Sequence, residues 1–399
     1  MINGLDTYKK KWNIQTEAAI KPGLHAITAA LKELENPHQK GTFIHIAGTN
    51  GKGSTATFLA SILREHGLSV GNFFSPEIED LHDQIQINGE PIPSEEMDRA
   101  MNRLASLRTP LTDFELLTAA AFLVFSEHPL DAVIIEAGMG GRFDSTNVID
   151  PFLSIIPSIS MEHTAFLGDT LEEIAWHKAG IIKKWKPVVV GALPEAAMAV
   201  VNETSDKLHS EVIKAKEPIT VELKLKGQHQ IRNAQLAIEA AKEILLLTFD
   251  QEKANAGLSK ASIPFRFEEL YPGLILDAAH NVESIEALIS TVKEQYPSKE
   301  IHFVVGILKD KNYPEILRKL ERISDRFTFI EFESERALAG NILFKESRSK
   351  IKTILNMYDI LPVRDQGVMT IVTGSMNLLT ILKKENFGIF SKYRSTDNK

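Results

Sequence analysis

The chain has 399 residues, too many for one ordinary hydrophobic core, so two domains are expected. Hydrophobic residues make up 43%, ample for packed interiors, while a formal net charge of −8 argues against a nucleic-acid partner. The absence of cysteine excludes disulfides, thiolate metal sites and a cysteine nucleophile. The N-terminus, with Asp6, Lys9, Lys10 and Lys11, lacks an apolar signal region, and no apolar run is long enough to span a membrane. These features predict a soluble, cytoplasmic protein.

Residues 1–40 read as mostly helical and polar, a flap ahead of the first strand. That strand, from Thr42, runs into Ala47 and then Gly48-Thr49-Asn50-Gly51-Lys52-Gly53-Ser54, with a helix predicted from Thr55 to about His66. Glycines 48, 51 and 53 let the backbone turn tightly and approach a ligand closely. The amides that follow open a helix whose dipole favours an anion. Lys52 is placed to reach terminal phosphates, and the Ser54 hydroxyl lies where a metal would sit. The stretch departs from the strict G-x-x-x-x-G-K-[ST] pattern, because Ile46 holds the first glycine position and Gly53 separates Lys52 from Ser54. Strand, loop and helix in this order indicate a phosphate loop; the alternative is a glycine-rich turn with a solvated lysine.

Ser69 to Phe74 reads as a second strand, ended by Ser75-Pro76. Residues 85–90 alternate and turn like a small hairpin, and helices follow over Ser94 to Ser106 and Thr112 to Glu127. The second of these puts Phe114, Leu117, Ala121 and Val124 on one side. Asp131 to Glu136 is a short apolar strand ending in a carboxylate, a candidate for a metal's water shell, since a neighbouring strand commonly presents an acid in phosphate-loop proteins. The loop Gly138 to Asn147 carries Arg142 and Asp144 to the carboxyl edge of the sheet, where open α/β sheets bind ligands.

Phe152 to Ser158 is another strand, and His163 follows it on the same presumed edge, which makes it a candidate ligand. Asp169-Thr170 caps a helix to about Ala179, closed by Trp176-His177-Lys178. Lys186 to Gly191 is a strand, and Gly227 opens an alanine-rich helix to about Leu246. Near Ile263-Pro264-Phe265-Arg266-Phe267 the pattern restarts, with strands at 274–277, 301–306, 327–331 and 369–373. The expected fold is α/β. It has an N-terminal phosphate-loop ATPase-type domain with a mostly parallel sheet (1–263) and a smaller C-terminal Rossmann-like α/β domain (264–399).

Several stretches occur together in one order and spacing. They are Gly48 to Ser54, Glu136 to Asn147, His163 to Gly168, Lys178-Ala179-Gly180, His229 to Ala234, Asp277 to Asn281, and Gly306 to Lys311. In this combination, from about residue 20 to 385, the chain resembles the folylpolyglutamate synthase/dihydrofolate synthase family of the Mur ligase superfamily. The resemblance implies an ATP- and Mg2+-dependent ligase that phosphorylates a folate or dihydropteroate carboxylate and joins L-glutamate to it. It implies that Lys52 and the loop amides hold the β- and γ-phosphates, and that Ser75, Glu136 and His163 hold magnesium. Lys178 matches a lysine that the family carbamylates; read without the family, it is a helix C-terminal lysine facing the dipole. Asn233 and Arg266 are implied to lie near the nucleotide, and Asp277 and His280 to close over phosphates and glutamate as the domains shut.

The family pattern is broken at Glu77 (usually histidine), Gln84 (arginine), Glu162 (aspartate), His177 (glutamate), Phe265 (glycine) and Val282 (proline). Losses in the 75–84 loop and at the hinge predict retained ATP and magnesium binding with narrowed or altered acceptor specificity. A monomer is expected. Two other readings remain: a Mur-type ligase acting on a cell-wall nucleotide precursor, and a non-catalytic paralogue that binds nucleotide.

Overall fold

The computed structural model describes residues 2, 4–17, 23–77, 80–216, 218–356 and 367–384. Parts of the N-terminal flap (18–22), and the resemblance beyond 384, lie outside them. The chain divides into two compact units, one of residues 1–224 with 230–262, the other of 225–229 with 263–399.

The first unit is built on an eight-stranded sheet. From one edge the strands run Val212–Lys214, Val188–Val190, Leu153–Ile156, Phe43–Ile46, Ala132–Glu136, Val70–Phe73, Ile85–Ile87 and Glu90–Pro91. The first six are parallel, and only the hairpin at the far edge is antiparallel. The strands Phe43–Ile46, Val70–Phe73, Ala132–Glu136 and Leu153–Ile156 are buried along their whole length, so polar members such as His45, Asn72 and Ser154 are buried with them. Their parallel course brings the chain segments after Ile156, Ile46, Glu136 and Phe73 to one edge.

The helix expected over Thr112 to Glu127 is Asp113–Ser126, capped by Thr112 and Glu115 in a reciprocal box. It is not one-sided as the sequence suggested: every residue from Glu115 to Phe125 is buried. Its sheet-facing side meets Phe43, Phe73 and Val133. The other side is covered by Leu5, Ile27, Leu31 and the helix Ser94–Leu104, so it lies between two layers. The helix after the glycine loop begins at Lys52, three residues earlier than expected, and runs to Glu65. The helix Gln251–Lys260 crosses it closely: a Cβ on Gly257 would lie 2.7 Å from the Ile62 Cα, and Ser61 Oγ donates to Gly257 O at 2.7 Å.

The second unit has a six-stranded sheet in the order Glu268–Tyr271, Leu274–Leu276, Val368–Thr373, Glu300–Val305, Arg326–Glu331 and Ile351–Asn356. All are parallel except the first. Sequence reading missed the two outer strands, whose residues are half-buried or exposed and lack an apolar run. Asn281 caps the helix Val282–Gln295 by accepting from Ser284 N at 2.8 Å. Val282 therefore stands at the first helical position, where proline would also fit.

Candidate active site

The glycine loop is stitched to the segment that follows Leu153–Ile156. Thr49 N donates to Ser158 O at 2.9 Å, Asn50 N to Ser158 Oγ at 2.9 Å, and Ser160 N to Thr49 Oγ1 at 3.0 Å. Gly51 ends the loop with φ +85°, a left-handed conformation that glycine adopts without steric cost. A Cβ there would also strike the Asn233 side chain, so Asn233 packs directly on the loop. No side chain caps the helix Lys52–Glu65, which leaves its first amides available at the positive end of the dipole.

Lys52 folds back over this loop. Its Nζ donates to Gly48 O at 3.1 Å and Thr49 O at 3.4 Å, and lies 3.8 Å from Glu136 Oε1. Glu136 is buried and pairs in register with Ile46, the last strand residue before the loop. Ser54 is buried in the first helical turn, and Ser75 is half-buried, two residues past Phe73.

Next to these lies a second charge pair that sequence reading did not identify. Lys178 is 1% exposed and its Nζ bonds Glu162 Oε1 at 2.5 Å. Burial pushes the lysine down to about 8, a shift that Lys52 reinforces and that Glu162 and Asp144 only partly oppose. Burial raises the Glu162 carboxyl, but the charges of Lys178, Lys52 and His163 outweigh it and hold that group below its ordinary value. Lys178 does lie in the last turn of the helix Leu171–Ala179, but it is buried against Glu162 rather than simply facing the dipole.

Asp144 ties the glycine-rich loop together. It accepts from Met139 N at 2.8 Å, Thr146 N at 3.1 Å and Thr146 Oγ1 at 2.5 Å, and burial pushes its carboxyl up. Thr146 Oγ1 in turn meets Nε2 of the fully buried His45, on the phosphate-loop strand, at 2.9 Å. Burial drives His45 down to about 3, so it is neutral, and with Thr146 donating to Asp144 its Nε2 carries the proton. Arg142 instead lies over the Trp176 ring at 4.0 Å and donates to Trp176 O. His177 packs edge-on against Phe143 and Trp176, and burial lowers its basicity.

His163 is the outlier among the expected ligands. It is exposed, at φ +46°, and occupies the N-cap position of the four-residue helix Thr164–Leu167 without a side-chain capping bond. Among the described residues no three His, Asp or Glu side chains are grouped as a metal cage. One buried carboxylate with a hydroxyl and an imidazole on the same sheet edge nevertheless fits magnesium, which keeps water and phosphate oxygens as most of its ligands.

In the second unit Asp277 accepts from Phe267 N and Ala279 N, both at 2.9 Å. Burial raises its carboxyl against the opposing charge of Arg266. His280 Nδ1 lies 2.8 Å from Ala278 O. Arg266 is flanked by Phe265 at φ +59° and Phe267 at φ +52°, conformations in which bulky residues are strained. The sequence placed Phe265 where the family has glycine, and the backbone there keeps a glycine-like φ.

A dihydrofolate synthase/folylpolyglutamate synthase of Bacillus subtilis (strain 168) is 35% identical over 408 residues, covering 92% of this chain and 95% of the relative. The chain belongs to the folylpolyglutamate synthase/dihydrofolate synthase family. The Mur ligase middle domain matches residues 46–193, and the Mur ligase glutamate ligase domain matches 266–375. A folylpolyglutamate synthase of Lacticaseibacillus casei is 32% identical over 419 residues, covering 92% and 95%. A bifunctional folylpolyglutamate synthase/dihydrofolate synthase from Yersinia pestis, solved with AMPPNP and a Mn ion, matches with a TM-score of 0.84 at 25% identity, covering 95% and 97%. As a member of this family the chain is an ATP-dependent acid–amino-acid ligase. No described helix is long and apolar enough to cross a membrane.

Proposed function

We propose that this ligase joins L-glutamate to a pteroate or folate carboxylate through an acyl phosphate, with the phosphate chemistry at the Lys52–Glu136 edge. The observation that carries the reading is the pairing of these two residues over an uncapped helix N-terminus, which puts a cation and a row of amides where phosphate charge would lie. Lys52 and the amides of Gly48 to Ser54 hold the β- and γ-phosphates. Asn233 and Arg266 contact the nucleotide, and Asp277 and His280 orient glutamate. Ser75, Glu136 and His163 hold the magnesium, which neutralises charge on the phosphates when bound.

The acceptor carboxylate oxygen attacks the γ-phosphorus, and the bond to the β–γ bridging oxygen breaks to release ADP. The glutamate amine then attacks the acyl carbon. Phosphate leaves and the amine proton is lost, giving the amide. Lys178 serves a second ion if its amine has added CO2. A folded-state value of about 8 leaves about a tenth of the amines neutral at pH 7, the form that reaction needs.

Relatives of similar identity are named for both activities or for polyglutamylation alone, so the acceptor is a matter for assay. Phosphate release from ATP and magnesium with L-glutamate is measured with dihydropteroate and with a reduced folate monoglutamate, using Lys52→Ala as control. Release with both means a bifunctional enzyme. Release with reduced folate alone ties the altered 75–84 loop to loss of dihydrofolate synthesis. Release with neither, while ATP still binds, overturns the reading in favour of a non-catalytic or re-specialised protein. We further propose a monomeric, cytoplasmic enzyme, the mass to be checked by light scattering.

A further inference from the structure

The strand Val70–Phe73 ends at the same sheet edge as Glu136. It pairs in parallel with Ala132–Glu136, Phe73 level with Ile135, so Phe74 emerges beside Glu136 and Ser75 follows. Residue 74 is held there from both sides by Gln84. Phe74 N donates to the Gln84 main-chain oxygen at 2.8 Å, and Gln84 Nε2 donates to Phe74 O at 3.1 Å. The turn that delivers Gln84, Leu81–Gln84, is itself closed. Asp80 N donates to Asp83 Oδ2 at 2.8 Å, and His82 N donates to Asp80 Oδ1.

Gln84 is 1% exposed, and its Oε1 has no partner among the described residues. A buried acceptor left unpaired disfavours folding, so the amide is not explained by stability alone. Its carbonyl oxygen adds partial negative charge to this edge, where an arginine would add positive charge.

We propose that Gln84 is a positioning residue that sets Ser75 for the divalent cation. The inference rests on the metal role assigned to Ser75 above. Fixing both polar groups of Phe74 fixes the direction in which the chain leaves the strand, and with it the place of the next hydroxyl. The amide acts through Ser75 and touches neither nucleotide nor acceptor in this account.

The test uses the full chain and Mn2+ as the probe, with free Mn2+ followed by electron paramagnetic resonance in the presence of AMPPNP. Metal-free AMPPNP binding in EDTA is followed by calorimetry. Gln84→Met keeps length and apolar packing but removes the side-chain half of the bracket, the Nε2 bond to Phe74 O, and Gln84→Leu is the second variant. Each should weaken Mn2+ binding about three- to tenfold, the range of one hydrogen bond, and leave metal-free AMPPNP binding unchanged. In a Ser75→Ala background the Gln84 substitution should have no further effect, since the two act as one unit. Unchanged Mn2+ binding in the Gln84 variants, or effects that add independently to Ser75→Ala, would overturn the inference alone. Unchanged Mn2+ binding in Ser75→Ala itself would overturn the metal role as well.

Discussion

Apart from Asp144, which main-chain amides hold, the two sheets carry their acids in different ways. At the carboxyl edge of the N-terminal unit, charged side chains are set against one another: Lys52 against Glu136, and Lys178 against Glu162. At the carboxyl edge of the C-terminal unit, Asp277 is held by the main-chain amides of Phe267 and Ala279, next to an arginine between two strained phenylalanines. The first edge depends on side-chain charge and tolerates its loss badly. The second depends on backbone shape and on the buried ring of Phe265 that packs beside it. Four substitutions or titrations sharpen that contrast.

The largest effect is expected for Lys52→Ala. If Lys52 faces the transferring phosphoryl group as proposed, removing it should lower kcat by about 10²- to 10³-fold in a steady-state phosphate assay. A fall of less than threefold would move the phosphate chemistry away from this loop. Glu162→Gln leaves a buried ammonium without its partner. It should destabilise the chain by about 3–5 kcal/mol in urea unfolding and push the Lys178 amine further down.

At the other edge, Phe265→Gly relieves a left-handed φ worth about 1–2 kcal/mol but empties the site of a fully buried ring worth about 3–5 kcal/mol. The net loss should be about 2 kcal/mol, read as faster amide exchange in the strand Leu274–Leu276. A stabilised variant would show that the strain outweighs the packing.

The last contrast is a pH slope. The Lys178 amine sits at about 8 in the folded chain against an ordinary lysine value of 10.5, so the unfolded chain binds more protons between those limits. Stability is reduced fully below about 8 and recovers as pH rises from about 8 to about 10.5. Lys178→Met should erase that recovery in a pH series of unfolding curves. Labelling with 13C-bicarbonate should show a carbamate resonance that grows from pH 7 to 9 in the parent chain and is absent from the variant.

Much of this site could be read from sequence because its local grammar is short-range. The strand, three glycines and lysine of the phosphate loop lie within a dozen residues. Glu136 ends an apolar run that could only be a buried strand. What stayed hidden depends on distant partners. Lys178 and Glu162 are 16 residues apart on different elements, and nothing in either segment says that the longer acid reaches the amine. His45 and Thr146 are 101 apart, and their bond exists only because the turn Ser145–Val148 folds back onto the strand Phe43–Ile46. The role of Gln84 was invisible for the same reason: its sequence signal was a missing charge, while its structural content is a bracket around Phe74. The all-round burial of Asp113–Ser126 likewise followed from a second layer of helices that periodicity within one segment does not encode.

The account's central claim is that the acceptor carboxylate is activated as an acyl phosphate. Dihydropteroate or a reduced folate carrying 18O in the reacting carboxyl group, incubated with ATP, magnesium and L-glutamate, tests it most directly. One 18O atom should appear in each phosphate released, because the bond that breaks in the second step lies between the acyl carbon and that oxygen. Amide product formed with unlabelled phosphate would contradict the account.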